Sequence, residues 1–154
     1  MSNTDINPLR DLYKPFVEFL ILYPYIKNYR TNIQLGLAKE KIKYIFPNWD
    51  KVCKIMTGKR KSVSKKIRDA KEIVNEVYCF TKDKDSLLLS FTYHIRNAIA
   101  HGEIKCDENY VVLKDNFFNK QTGKLSKCNN AYIRIEKQRL LMFLNFIITN
   151  NPQP

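Results

Sequence analysis

Apolar positions recur at three- and four-residue steps along most of this chain. From Pro8 to about Ile26, Leu9, Leu12, Phe16, Phe19, Leu20 and Tyr23 form such a series, which predicts an amphipathic helix. Pro8 suits a first helical turn, and Pro24 bends or ends the helix. A second helix is expected from Thr31 to Phe46, with Ile33, Leu37, Ile42 and Ile45 on one side and Pro47 stopping it. Asn48 can cap a short third helix through Met56, ended by Gly58. Ser62 or Ser64 starts a fourth, which carries Ile67, Ile73, Val74 and Val77 to Phe80. A fifth begins near Asp85 or Ser86 and runs to Ala100 or His101, with Gly102 past its end. Leu87, Phe91, Ile95 and Ile99 give that helix a core stripe.

The pattern then changes. Tyr110-Val111-Val112-Leu113 and Ala131-Tyr132-Ile133-Arg134-Ile135 are rich in β-branched and aromatic residues, with a polar stretch around Gly123 between them. They predict a two-stranded hairpin. From Glu136 to Ile148, Leu140, Leu141, Leu144, Ile147 and Ile148 restore the helical stripe. The expected architecture is mainly all-α: a bundle of five to six helices with a β-hairpin inserted before the last. No repeat or linker divides residues 1–154, which are expected to form a single domain with residues 1–7 and 150–154 loose.

Composition narrows the function. The apolar fraction of 44% belongs to a folded chain, and 27 Lys plus Arg against 15 Asp plus Glu give a net charge of +12. Such a balance attracts polyanions, so RNA, DNA and anionic membrane surfaces are candidate partners. The most apolar stretch, Phe16 to Ile26, is broken by Glu18 and Pro24 and is too short to span a bilayer. Ser2, Asn3, Thr4 and Asp5 do not make a basic n-region, so a signal peptide is not expected. Cys53, Cys79, Cys106 and Cys128 are widely spaced, as expected of thiols in a reducing cytoplasm. With two histidines and no C-x-x-C pair, neither a metal site nor a cofactor is expected. The chain has no G-x-x-x-x-G-K-[ST] loop, no paired-carboxylate metal pattern and no G-x-S-x-G.

The densest chemistry lies in Arg96-Asn97-Ala98-Ile99-Ala100-His101-Gly102. On a helix, Tyr93, Asn97 and His101 share one ridge, and Arg96 lies about 100° round from Asn97, beside Leu88 and Thr92. His101 falls at the helix C-terminus, where the macrodipole favours a cation, and imidazole is the side chain that ordinarily titrates near neutral pH. An arginine, an amide and a histidine in this array can bind a phosphate and move a proton beside it. A simple C-terminal cap, with cations in the last turn followed by glycine, accounts for the same residues. His94 points elsewhere on the helix and reads as exposed or satisfied in the core; Tyr93 reads as a packing residue. Lys59, Arg60, Lys61, Lys65, Lys66 and Arg68 crowd ten residues without an acid, a run that can track a phosphate backbone or simply form a solvated loop. Lys114, Lys120, Lys124 and Lys127 form a weaker candidate patch.

The segment resembles the R-x4-H signature of HEPN domains: an arginine, a polar residue, three variable residues and a histidine, matched in order by Arg96, Asn97 and His101. The resemblance implies a HEPN-like helical bundle and, in many members, a metal-independent endoribonuclease. In that chemistry the RNA 2′-hydroxyl attacks the adjacent phosphate, leaving a 2′,3′-cyclic phosphate and a 5′-hydroxyl. By motif position His101 is implied as general base or acid, Arg96 as the stabiliser of phosphorane charge, and Asn97 as the supporting residue that orients them. The resemblance further implies a homodimer with two motifs facing one another, through a two-fold interface near Ala98 and Ala100, and a prokaryotic setting in defence, stress or toxin activity. Some HEPN toxins carry a tyrosine two residues after the histidine, which a partner nucleotidyltransferase modifies; Glu103 stands there in this chain, against an antitoxin mechanism of that kind. Other members are non-catalytic modules that bind RNA or a partner protein, which is the alternative reading.

Overall fold

Seen from its centre, the structure is organised around one helix laid on a sheet. The computed structural model describes residues 9–28, 43–56, 76–81, 87–119 and 124–150. Its elements are α1 (Arg10–Asn28), α2 (Trp49–Val52), β1 (Cys53–Met56), β2 (Val77–Thr81), α3 (Leu87–His101), β3 (Ile104–Cys106), β4 (Tyr110–Asn119), β5 (Lys124–Glu136) and α4 (Lys137–Asn150). The strands form a five-stranded sheet in the order β1-β2-β5-β4-β3. β1 pairs parallel with β2, and every other pairing is antiparallel.

The fold is therefore mixed α/β, which corrects the expected all-α bundle of five to six helices with one hairpin. The expected pair of strands does form, as β4 and β5, and is longer than its apolar cores suggested. The error lies in the first half. Val77 to Phe80 was read as the end of a helix, yet it forms β2, and Cys53–Met56 forms β1 where the third helix was expected to continue. β2 lies between β1 and β5 with Val77, Tyr78, Cys79 and Phe80 all buried. A strand covered on both faces loses the polar alternation by which strands are recognised, so its apolar run mimics a helical stripe. Most of the expected second and fourth helices falls outside the described residues.

Helices cover one face of the sheet. α3 lies across β4 and β2, α4 against β5 and β4, and α1 packs on both helices. α1 buries Leu12, Phe16, Phe19, Leu22 and Tyr23, and it continues through Pro24 to Asn28. From the sheet, Tyr78, Phe80, Val111, Leu113, Ala131, Ile133 and Ile135 enter the same core. The opposite face carries a smaller apolar cluster of Val77, Cys79 and Tyr132, with Val112 beside it. Among the described residues no helix is long and apolar enough to cross a membrane.

The core is densest at Phe91 of α3. Its ring lies 5.2–5.7 Å, centroid to centroid, from those of Phe46, Trp49, Tyr78, Phe80 and Phe143. Edge-on and tilted ring pairs of this kind add to the gain from apolar burial. Beside them, Arg139 of α4 donates from Nε to both Glu76 oxygens (2.9 and 3.0 Å) and from Nη1 to the Ile45 carbonyl, fastening α4 to the approach to β2. Glu76 also accepts from the Tyr78 hydroxyl at 2.6 Å.

The end of α3 is a glycine cap. Gly102 has φ +71°, its N–H donates to Ile99 O (3.2 Å), and the Glu103 N–H donates to Ala98 O (3.0 Å). This pair of reversed bonds satisfies the last helical carbonyls and turns the chain directly into β3. The Lys114 N–H then donates to Glu103 O at 3.0 Å, so the helix end is tied to β4.

Two stability outcomes are expected. Phe91→Ala removes a ring shared by five others and costs about 3–5 kcal/mol in urea unfolding. Gly102→Ala meets no atom within 4 Å of its new Cβ, yet it forces an L side chain to a positive φ. It should cost about 1 kcal/mol, a fall in Tm of roughly 2–4 °C by calorimetry.

Candidate active site

Because Phe91, Ile95, Ala98 and Ile99 turn one side of α3 into the core, Arg96, Asn97, Ala100 and His101 are left on the other. Arg96 and Asn97 are partly buried, and Ala100 and His101 are exposed. Arg96 donates from Nη1 to Asn97 Oδ1 at 3.0 Å. Its guanidinium carbon also sits 5.8 Å from the centroid of the Tyr23 ring of α1, within reach of a cation–π contact. Burial pushes the Tyr23 phenol up to about 12, with the Arg96 charge acting against the rise and Tyr93 adding to it. The phenol thus keeps its proton at neutral pH, and the Arg96 cation meets a ring face rather than a neutralising phenolate.

The other end of the Asn97 amide is also engaged. Asn97 Nδ2 donates to Asp115 Oδ2 at 3.1 Å. Asp115, on the core face of β4, is 5% exposed. The same oxygen lies 2.7 Å from His94 Nδ1, and His94 Nε2 lies 2.8 Å from the Thr81 carbonyl of β2 and 3.3 Å from the Thr81 hydroxyl. His94 is 0% exposed. It therefore belongs to the interior, as a satisfied core histidine.

His101 occupies the C-cap position of α3, and among the described residues no hydrogen-bond or ion-pair partner holds its side chain. Its placement comes from the backbone, through the Gly102 cap. The structure thus puts the three motif residues on one side of one helix and links Arg96 directly to Asn97. His101 is brought to the same surface without a contact to either. Ala98 does not belong to that surface: it is 0% exposed, buried in its own chain's core, so the expected pairing surface keeps Ala100 and loses Ala98.

The basic run Lys59, Arg60, Lys61, Lys65, Lys66 and Arg68 lies outside the described residues, as do Lys120 and the side chains of Lys124 and Lys127. Lys114 lies 6.0 Å from the Tyr132 ring centroid, on the sheet face opposite α3. Two residues linked to the motif were missed in sequence: Tyr23 was read only as core, and Asp115 was not considered. The signal for Asp115 was available. Val111, Leu113 and Asp115 alternate along β4, so a strand extended by one pair places a carboxylate on the buried face.

Two comparisons with known proteins found nothing: neither a curated protein nor a solved structure matches the chain. The family model described as HEPN pEK499 p136 matches residues 16–150. That span runs from Phe16 in α1 to Asn150 at the end of α4 and takes in Arg96, Asn97, His101 and the sheet on which their helix is laid. With the match extending over most of its length, the chain belongs to the HEPN pEK499 p136 family.

Proposed function

We propose that this protein is a metal-independent endoribonuclease acting in defence, stress or toxin activity. The observation that carries the reading is the arrangement on α3: a positioned Arg96 and an exposed His101, with no side-chain partner among the described residues, on one surface of one helix. HEPN domains are often ribonucleases, and the charge of +12 suits a polyanionic substrate.

The reaction needs a base for the 2′-hydroxyl, an acid for the departing 5′-oxygen and positive charge at the phosphorus. A histidine takes the 2′-hydroxyl proton as the 2′-oxygen bonds to phosphorus. The P–O5′ bond then breaks, and a second histidine returns a proton to the leaving oxygen. The guanidinium of Arg96 stabilises the oxygens on which charge accumulates. Each chain has two histidines, and His94 is buried and engaged on both nitrogens. One protomer therefore offers one exposed imidazole. A homodimer with the two α3 surfaces facing, near Ala100, supplies both. The same count favours the second reading, a non-catalytic module that binds RNA or a partner protein, should the chain act as a monomer.

Purified protein in excess EDTA is expected to cleave a mixed-sequence RNA and leave cyclic-phosphate ends. His101→Ala and Arg96→Ala should each lower the rate by about 100-fold or more. His101→Ala should change stability by no more than roughly 0.5 kcal/mol, since the side chain is exposed. Folded, dimeric wild type that binds RNA without cutting it would favour the binding module.

We assign RNA backbone contact to the basic run at Lys59–Lys66. Replacing Lys59, Lys61 and Lys65 together by Gln should flatten the plot of log affinity against log salt by about 2, at roughly 0.7 per phosphate contact on a single strand. An unchanged slope would remove the run from the interface.

A further inference from the structure

The motif arginine is the outer end of a relay that begins inside the protein. Thr81 of β2, His94 of α3, Asp115 of β4, Asn97 and Arg96 form one continuous chain of hydrogen bonds. We infer that Asp115, hydrogen-bonded to the buried His94, is a positioning residue for Arg96 and acts by fixing which way the Asn97 amide faces. The inference rests on the ribonuclease reading only where activity is measured; the geometry of Arg96 can be read without it.

Donor and acceptor rules set the directions on the Arg96 side of the relay. Asp115 Oδ2 faces two nitrogens, His94 Nδ1 at 2.7 Å and Asn97 Nδ2 at 3.1 Å. His94 Nδ1 and Asp115 Oδ2 share one proton, and whichever atom carries it, Oδ2 keeps a lone pair for the Asn97 NH2. The two side chains are 0% and 6% exposed, so no water competes for that lone pair.

The acceptor matters because an amide has two unlike ends. Asp115 Oδ2 accepts from Asn97, so it selects the Nδ2 end. The Oδ1 end is then turned toward Arg96, where it accepts from Nη1. Without the carboxylate, either end of the amide could face Arg96, and the NH2 end would set donor against donor. Asp115 is held for this task by the sheet. It pairs with Ala131 in β5, and the β4–β5 register shifts immediately after it, between Asp115 and Asn116. A register break at such a point sets where a strand's side chains aim.

The test exchanges the two groups. Three variants are compared with wild type by metal-free RNA cleavage and by NMR of the Arg96 guanidinium and His94 ring nitrogens. Asp115→Asn should lower kcat by roughly 10–100-fold with KM within about twofold, the size seen when a group that orients a reacting residue is lost. Asn97→Asp keeps the acceptor for Arg96 but loses the donor to Asp115 and sets two carboxylates together. It should lower kcat similarly and shift the Arg96 signals. The double exchange Asn97→Asp with Asp115→Asn removes the clash of two carboxylates but reverses the bond between the two positions and turns the new NH2 toward His94 Nδ1, which shared the same Asp115 oxygen; activity and the Arg96 signals should stay away from wild type, and their full recovery would overturn the relay.

A fall in Tm alone, with kcat and Arg96 signals unchanged below the transition, would overturn the positioning role. So would an Asn97→Asp protein that matches wild type, and that variant decides the question if Asp115→Asn does not fold. If wild type cuts no RNA, the ribonuclease reading fails while the Arg96 signals still decide this one.

Discussion

The seating of α3 on the sheet is the constraint on which everything else depends. This helix supplies Phe91 to the aromatic cluster, His94 to the buried hydrogen bond with Asp115, and Arg96, Asn97 and His101 to the surface. Each role needs the same rotation about the helix axis. Turning α3 to bury Arg96 more deeply would withdraw Phe91 from its neighbours and pull His94 from Asp115. Apolar packing fixes the rotation only loosely, because hydrophobic contact is non-directional. The His94–Asp115 hydrogen bond adds a directional lock at the centre of the helix.

Such a pair is not a cheap source of stability. Taking polar side chains out of water costs free energy that their mutual hydrogen bonds only offset. Its presence is better understood through what it connects. The helix is pinned to β2 by Thr81 and to β4 by Asp115, so two strands that are not adjacent in the sheet both bear on the motif. The motif-bearing surface and the mixed sheet are thus one unit, rather than a bundle with a hairpin attached.

The legibility of the chain follows from this geometry. α3 was read well from sequence because it has one buried and one solvated side, and the Leu87, Phe91, Ile95 and Ile99 spacing states that directly. Gly102 was read well because a positive φ at a helix end has few other occupants. β2 was misread because it is buried on both faces, and β1 because four residues following a helical turn give no period to detect. Arg96, Asn97 and His101 could be singled out as a local spacing on one helix. Asp115 could not be joined to them from local spacing, since the contact spans eighteen positions and depends on where β4 packs. The spacing of His94 separates it from the motif ridge but leaves open whether it is exposed or buried; the structure buries it against Asp115.

The glycine cap at Gly102 divides the surface into two kinds of side chain. Arg96 has its rotamer restrained by Asn97 and Tyr23, so the conformational entropy of a long side chain, up to about 2 kcal/mol, is already lost on folding. A ligand that meets the guanidinium does not bear that cost again. His101 is the opposite case: Gly102 fixes its backbone, and its exposed side chain has no partner among the described residues. The last turn and a half of α3 thus carries one side chain set in place by its neighbours and one placed by the backbone alone.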